Sequence, residues 1–451
     1  MTGNKTDITA RVSPPDAGHR GIIASQENWM SCSHCGQIQA LPEGDSDTVV
    51  VCSRCQHPLS FGYGHWREKT AALVITGVVL FIVSNCFVFL GLKVGAFYHE
   101  SNLLSGVWAL VAHDHIPLAV LVFVTIFLFP LFELFALSYL VLPCYWGVRL
   151  PYQITIFRWF SKAAPWSMLE IFLLGVLVTS VKLGDMATIV LGVSIVSFFA
   201  LVAVLGAAYW CIDKQDLWGW LQPNNCFATE KGETLYDCDI CHALVGEKIV
   251  HNSGYCPRCD NQLYTRKPNS LQKTLAYTVA AILLYLPANM LPIMTMSTLM
   301  GERDDTIFSG VAALVAHGLW GIAAVVFVAS LVVPIAKLLI LMYLVWSVKQ
   351  CDTRAMKERL WLFKLTEWVG RWSMVDVFVV TLLTALVQFG FLGSIAPGEA
   401  LLPFAAVVVL TMLAANAFDP RLIWDAAGGQ EKTFELNQVS FQSNSKIKSE
   451  H

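Results

Sequence analysis

A chain of 451 residues that is 55% hydrophobic and only 14% charged, with a mean hydropathy of +0.57, falls outside the ordinary soluble globular class. Its net charge of −3 leaves no dominant basic face, so no nucleic acid partner is supported. Thirteen cysteines would suggest disulfides in a secreted chain, but eight of them fall in four C-x-x-C pairs, which points to metal and a reducing compartment.

In chain order, residues 1–27 are polar, hold no apolar core of a cleavable signal peptide, and are expected to stay disordered. Residues 28–65 carry Cys32-x2-Cys35, sixteen residues, then Cys52-x2-Cys55. Two such knuckles supply the four thiolates that zinc accepts tetrahedrally at about 2.3 Å each. Residues 66–212 hold apolar segments near 71–92, 118–142, 166–183 and 188–210. Each approaches the roughly 20 residues a bilayer span needs. Residues 226–266 repeat the ribbon, with fourteen residues between Cys238-x2-Cys241 and Cys256-x2-Cys259. Residues 267–425 repeat the apolar segments near 274–296, 319–346, 372–394 and 400–416, and a polar tail follows at 426–451.

The repeat is legible letter by letter. SGVWALVAH at 105–113 and SGVAALVAH at 309–317 agree at eight of nine positions, at an offset of 204. At the same offset Asn85 pairs with Asn289, Pro130 with Pro334, and Cys52 and Cys55 with Cys256 and Cys259. PWSMLE at 165–170 answers RWSMVD at 371–376 at an offset of 206. The expected fold is an all-α integral membrane protein of two duplicated four-helix modules, eight spans in all. Each module follows a small ribbon holding one structural zinc ion, closed by four thiolates and serving a domain too small for its own core. His34, His57 and His242 stand beside knuckles that four cysteines already complete.

Loop charges set the orientation. Residues 143–165 carry Arg149, Arg158 and Lys162 and no acid, and 347–371 carry six basic groups, whereas 300–318 holds Glu302, Asp304 and Asp305 against Arg303. Both termini, both ribbons and both basic loops are expected on the cytoplasmic side. The twin SGVxALVAH segments read as short amphipathic helices on the outer face, with His113 and His317 in surface or capping roles. Cys86, Cys144, Cys211, Cys226 and Cys351 read as packing residues.

Glu133, Glu170, Lys182, Lys337 and Asp376 lie within or near the spans, where an ionisable group is costly unless paired or hydrated. Counting residues from the span ends places Lys337 and Asp376 within ~6 Å of one height at 1.5 Å per residue, inside a lysine's reach. Ser330 and Ser373 share the helix faces of Lys337 and Asp376, and Thr411 stands at similar height, so one buried polar cluster is expected. Pro334 releases the Ser330 carbonyl from its helical bond and is expected to kink the helix. In the first module Glu133 and Glu170 take the places of Lys337 and Asp376. Two acids at one depth share a proton rather than both ionising, so the ionic chemistry is expected in the second module. Lys182, at a span end, is expected to snorkel.

Twin ribbons before four-span bundles, with PWSMLE and RWSMVD opening the third and seventh spans, resemble the paraquat-inducible protein A family. The likeness runs from about Cys32 to Trp424 and includes LPANMLPI at 286–293, DDTIFSG at 304–310 and DPRLIWD at 419–425. It implies a bacterial inner-membrane protein that moves phospholipid to or from a periplasmic tunnel of mammalian-cell-entry (MCE) domains. It also implies a functional polar cluster at Ser330, Lys337, Ser373, Asp376 and Thr411. A lysine and an aspartate near one height further suggest that Lys337 and Asp376 gate transport by changing protonation. No P-loop is present, and no nucleophile–base pair marks an enzyme. A scaffold that anchors the tunnel, or a redox-responsive protein using the C-x-x-C thiols, are the alternatives.

Overall fold

The computed structural model describes residues 29–425 apart from 33–34, 41–48, 57, 62–65, 95–96, 185–187, 223–225, 228–234, 299–300, 317, 319, 351–354 and 388–393. The expected tails at 1–27 and 426–451 lie outside the described residues, as do His34, His57, His317 and Cys351 and the side chains of Lys182 and Cys226. The chain forms two compact units, one from the cysteine segments (within 1–64 and 215–265) and one from the apolar helices (within 65–214 and 266–430).

In the cysteine unit, Trp29–Ser31 pairs antiparallel with Ile38–Ala40, and Val49–Val51 with Pro58–Phe61. In the second ribbon Leu244–Gly246 lies between Cys226–Phe227, parallel, and Leu235–Asp237, antiparallel. The strands are two to four residues long, too little for a hydrophobic core of ordinary size.

The helical unit repeats seven helices. The first set is α1 (Trp66–Cys86), α2 (Ser105–Ala112), α3 (Ile116–Phe123), α4 (Phe129–Trp146), α5 (Gln153–Ala163), α6 (Leu169–Gly184) and α7 (Val193–Cys211). The second is α8 (Ser270–Met290), α9 (Ile307–Ala316), α10 (Trp320–Phe327), α11 (Val333–Lys349), α12 (Met356–Gly370), α13 (Val375–Leu386) and α14 (Leu401–Ala417). Five-residue π-helical turns, Val124–Leu128 and Val328–Val332, join α3 to α4 and α10 to α11. Each stands just before its proline, Pro130 or Pro334, whose missing N–H cannot close the regular ladder.

All-α is corrected in one respect. Residues 87–92 and 291–296 were expected to end the first and fifth spans as helix. Instead α1 and α8 stop after Asn85 and Asn289, whose side-chain amides donate to the Phe81 and Tyr285 carbonyls, both at 2.8 Å. The chain then forms strands β1 (Leu90–Val94) and β2 (Phe97–Ser101), joined by β3 (Thr188–Leu191) into the sheet β2-β1-β3. The second copy does the same with β4 (Met294–Thr298), β5 (Gly301–Asp305) and β6 (Ser394–Pro397), in the order β5-β4-β6. An apolar run does not itself distinguish a strand from the end of a helix. Gly192 and Gly398 close these turns: a Cβ there would strike the carbonyls of Val88 and Pro292.

Among the described residues six helices are long and apolar enough to cross a membrane: Trp66–Cys86, Ile116–Trp146, Val193–Cys211, Ser270–Met290, Val328–Lys349 and Met356–Leu386. The other two expected spans correspond to shorter apolar helices, Leu169–Ser180 within α6 and Leu401–Ala417. Met356–Leu386 is 82% buried against 22–44% for the other five, so its second half, α13, is the central helix. It packs on α6, where Phe172 meets Phe378 edge-on at 5.6 Å and a Cβ at Gly175 would lie 3.1 Å from the Phe378 Cβ. It also packs on α2, where Gly106 abuts Thr381. Thus α2 is not simply a helix on the membrane surface: Leu110 is fully buried while Trp108 faces outward.

The start of α8 is tied to the end of α14. Ser270 Oγ donates to the Ala417 carbonyl at 2.8 Å, and Lys267 Nζ to that of Asn416 at 2.8 Å. Asp419 accepts from the Lys267 and Arg421 backbone N–H groups and from the Arg421 guanidinium, at 3.0–3.2 Å. Burial opposes ionisation of Asp419, but Arg421 and these N–H groups outweigh it and hold the carboxyl below its usual value. A depressed folded-state value stabilises above the unfolded pKa of about 3.9, and this stabilisation disappears as pH falls through the folded value. Asp419→Asn is therefore expected to cost about 3–5 kcal/mol at neutral pH by stranding Arg421. In thermal melts of the purified protein its deficit against wild type should shrink on acidification; a pH-independent deficit would contradict the assignment.

Candidate functional site

All four C-x-x-C knuckles close in one way. The backbone N–H of Gly36, Gln56, His242 and Asp260 donates to the carbonyl of the cysteine four residues earlier, at 2.8–2.9 Å. All four closing residues have φ between 53° and 70°, the left-handed region this turn requires. The knuckles pair as expected: Cys32, Cys35, Cys52 and Cys55 form one cluster, and Cys238, Cys241, Cys256 and Cys259 the other, with sulfurs within 4.8 Å of one another. Cross-knuckle Sγ–Sγ distances are 3.5 and 3.6 Å in both. Disulfides would need about 2.05 Å. A tetrahedron with bonds of about 2.3 Å has edges of ~3.8 Å, so these sets fit a tetrathiolate metal. In the second ribbon Arg258, between Cys256 and Cys259, is buried. It donates to the Gln222 and Cys241 carbonyls and lies 5.6 Å from the Trp218 ring centroid. A cation there offsets the excess negative charge that four thiolates leave on a divalent ion.

Of the expected polar cluster, Lys337 lines a cavity of about 400 Å³ in the helical unit, whereas Ser330, Ser373, Asp376 and Thr411 are not among its lining residues. On α11, Lys337 is 2% exposed; its Nζ donates to Thr411 Oγ1 at 2.9 Å and to the Gly370 carbonyl at 3.3 Å. Neither partner is Asp376, which sits half-buried in the first turn of α13. Ser330, in the π-helical turn, and Ser373, in the turn before α13, are buried, and neither hydroxyl has a hydrogen-bond partner among the described residues. The structure thus joins Lys337 to Thr411 directly and sets the other three expected residues on adjoining elements.

Sequence reasoning missed Gly370. A Cβ there would lie 2.7 Å from Lys337 Nζ. Alignment of the two halves carried the signal: Gly370 aligns with Ala164, just as Lys337 aligns with Glu133. The long cation and the missing methyl occur together. Glu133 lines the same cavity, together with Glu170, Glu367 and Tyr209, so residues of both halves share one site.

The family model for paraquat-inducible protein A matches residues 68–222 and 271–428. Intermembrane transport protein PqiA of Escherichia coli (strain K12) is 35% identical over 401 residues, covering 87% of this chain and 95% of that protein. Lipophilic envelope-spanning tunnel protein A of the same strain is 31% identical over 400 residues, 88% of this chain and 92% of that protein. A probable intermembrane transport protein of Haemophilus influenzae is 28% identical over 404 residues, 88% of this chain and 95% of that protein. No solved structure matches the chain significantly.

The fit between Gly370 and Lys337 is open to a double-mutant cycle. Gly370→Ala pushes the ammonium off its partners, and losing a hydrogen bond to a charged group costs about 1.5–3 kcal/mol. In a Lys337→Ala background the same methyl should cost far less. Equal losses of apparent stability in both backgrounds would show that Gly370 serves some other contact.

Proposed function

The chain belongs to the paraquat-inducible protein A family, and on that premise we propose that it is the inner-membrane subunit of a bacterial lipid transport system. In this reading it loads or unloads phospholipid between the inner membrane and a periplasm-spanning tunnel of MCE domains, and so maintains the outer membrane. It is a transport component rather than an enzyme. The names of its relatives, which speak of intermembrane transport and an envelope-spanning tunnel, support this. The observation that carries the reading is Lys337, a buried ammonium at a cavity among apolar helices. An ionisable group at that depth is expensive, and its usual role is in a substrate or proton path.

We read all eight apolar segments as spans of two modules, with both termini and both ribbons cytoplasmic as the loop charges require. At 16 and 17 residues α6 and α14 are ~24 and ~26 Å long, and β3 and β6 extend them across the rest of the bilayer. Ser330, Lys337, Ser373, Asp376 and Thr411 form the polar path, and a change of protonation at Lys337 and Asp376 gates the step. Each ribbon holds one structural zinc ion on its four thiolates, which fixes a fold that short strands alone do not hold.

Lys337→Ala and Asp376→Asn should abolish activity in a membrane-integrity complementation assay, with Glu133→Gln milder. Membrane abundance and co-purification with the tunnel protein separate misfolding from loss of mechanism. An abundant, partner-bound and fully active Asp376→Asn would sink the gate.

Elemental analysis should find about two zinc ions per chain, one per tetrathiolate site. Cys32→Ser or Cys256→Ser should lower protein level more than specific activity. Iron in place of zinc, or no metal in the purified protein, would refute the assignment.

A further inference from the structure

The cavity beside Lys337 has unmet bonding capacity on its opposite wall. Glu133 of α4 is 4% exposed and lines the cavity, and its Oε2 has no hydrogen-bond partner among the described residues. The Tyr209 hydroxyl of α7 is buried beside the Glu133 carboxyl at the same cavity and interacts with it. A buried carboxylate oxygen left without a partner is costly, and a native structure that keeps one invites a ligand with donors. Glu170 and Glu367 extend the acidic wall outward, both exposed. Among the described residues the acidic and basic lining is therefore three glutamates and one lysine, Lys337. The ammonium of Lys337 has three N–H donors, of which Thr411 and Gly370 take two.

Shape narrows the ligand further. The remaining lining mixes apolar side chains such as Leu169, Leu205 and Met412 with the neutral polar Ser167, Thr366 and Asn416, and Trp210, 74% exposed, stands at the rim. Among the described residues only the two cysteine sets bring three or more metal-ligand atoms within 4.8 Å of one another, so the carboxylates here do not converge on a bare ion. At about 400 Å³ the cavity suits a polar headgroup but leaves no room for acyl chains as well. A quaternary ammonium is recognised by aromatic faces, but Tyr209 stacks on Phe160 at 5.7 Å and 11°. Its hydroxyl can donate to Glu133, and Glu133 Oε2 and the phenolic lone pairs remain open to N–H donors.

We propose that this cavity is a headgroup site for a phospholipid carrying a primary ammonium. The ammonium donates to Glu133 and Tyr209 with Glu170 and Glu367 nearby, the phosphate takes the free N–H of Lys337, and the acyl chains leave past Trp210. The assignment rests on the phospholipid reading of function, and it names the lipid class.

The full-length protein is reconstituted in nanodiscs with equal parts of phosphatidylethanolamine, phosphatidylcholine and phosphatidylglycerol of identical chains. Lipids retained after extraction into detergent and repurification are then quantified. Ethanolamine lipid should be enriched roughly tenfold over each of the others, the factor that one interaction worth about 1.4 kcal/mol gives. Glu133→Gln should bring the ratio close to parity, and the conservative Tyr209→Phe should lower it partway. Free ethanolamine at millimolar concentration should leave both the ratio and the melting temperature unchanged. Retention without preference, a preference for the glycerol headgroup, or an unaltered ratio in Glu133→Gln would each overturn the headgroup site while leaving lipid transport standing. Protection by free ethanolamine equal to that by the lipid would reassign the site to a soluble amine. A wild-type protein that retains no phospholipid would remove the transport reading itself.

Discussion

The close approach of α6 and α13 is the contact on which the helical unit is built. In a bilayer, apolar side chains gain little by leaving lipid, so helices are held by fit rather than by the hydrophobic effect. Here the fit is supplied by small residues opposite large ones: Gly175 against Phe378, and Gly106 against Thr381. Phe172 and Phe378 are equivalent positions of the repeat, at the offset of 206 that relates PWSMLE to RWSMVD, and they touch each other. A residue that meets its own counterpart is the mark of a two-fold arrangement. The cavity follows from this contact, because it brings the ends of α4 and α6 from one half beside α11 and α12 of the other.

The two halves keep one backbone plan and differ where charge is concerned. Both have the π-helical turn before proline, the asparagine that back-bonds at the end of the first helix, and the glycine that closes the strand-to-helix turn. At the cavity they part. The first half presents Glu133 with Ala164, and the second presents Lys337 with Gly370. A lysine is longer than a glutamate, and the methyl removed at Gly370 is the space its ammonium takes. An acid and a base from equivalent positions thus face one space, which makes the site polar across its width rather than symmetric.

The cysteine unit obeys a different physics. Its strands are two to four residues long, and what holds each ribbon's ends together is a set of four cysteines whose geometry fits a metal ion. The burial of Arg258 against Trp218 and two backbone carbonyls matches the charge such a site would carry.

Much of this was legible in the residues alone. Cysteine spacing specified both tetrathiolate sets, because a C-x-x-C knuckle closes on itself within five residues whatever surrounds it. Hydropathy gave the helices, and the offset gave the repeat. Pro334 announced the irregular turn at Ser330, since a missing N–H is a local fact. What the sequence did not reveal is non-local. Strands β1 and β4 read as helix ends because an apolar run carries no mark of its partners, and β1 pairs with residues almost a hundred positions away. Glu133 read as the poorer counterpart of Lys337, whereas the fold places both at one cavity. Depth counted along a helix measures height and not azimuth, so it set Lys337 level with Asp376 but left undetermined that its ammonium turns to Thr411 and the Gly370 carbonyl. The sequence by itself determined which helices and thiolate sets form, because those depend on neighbours in the chain. Only the tertiary structure decided which charges face one another, because that depends on how two helices from opposite halves come to touch.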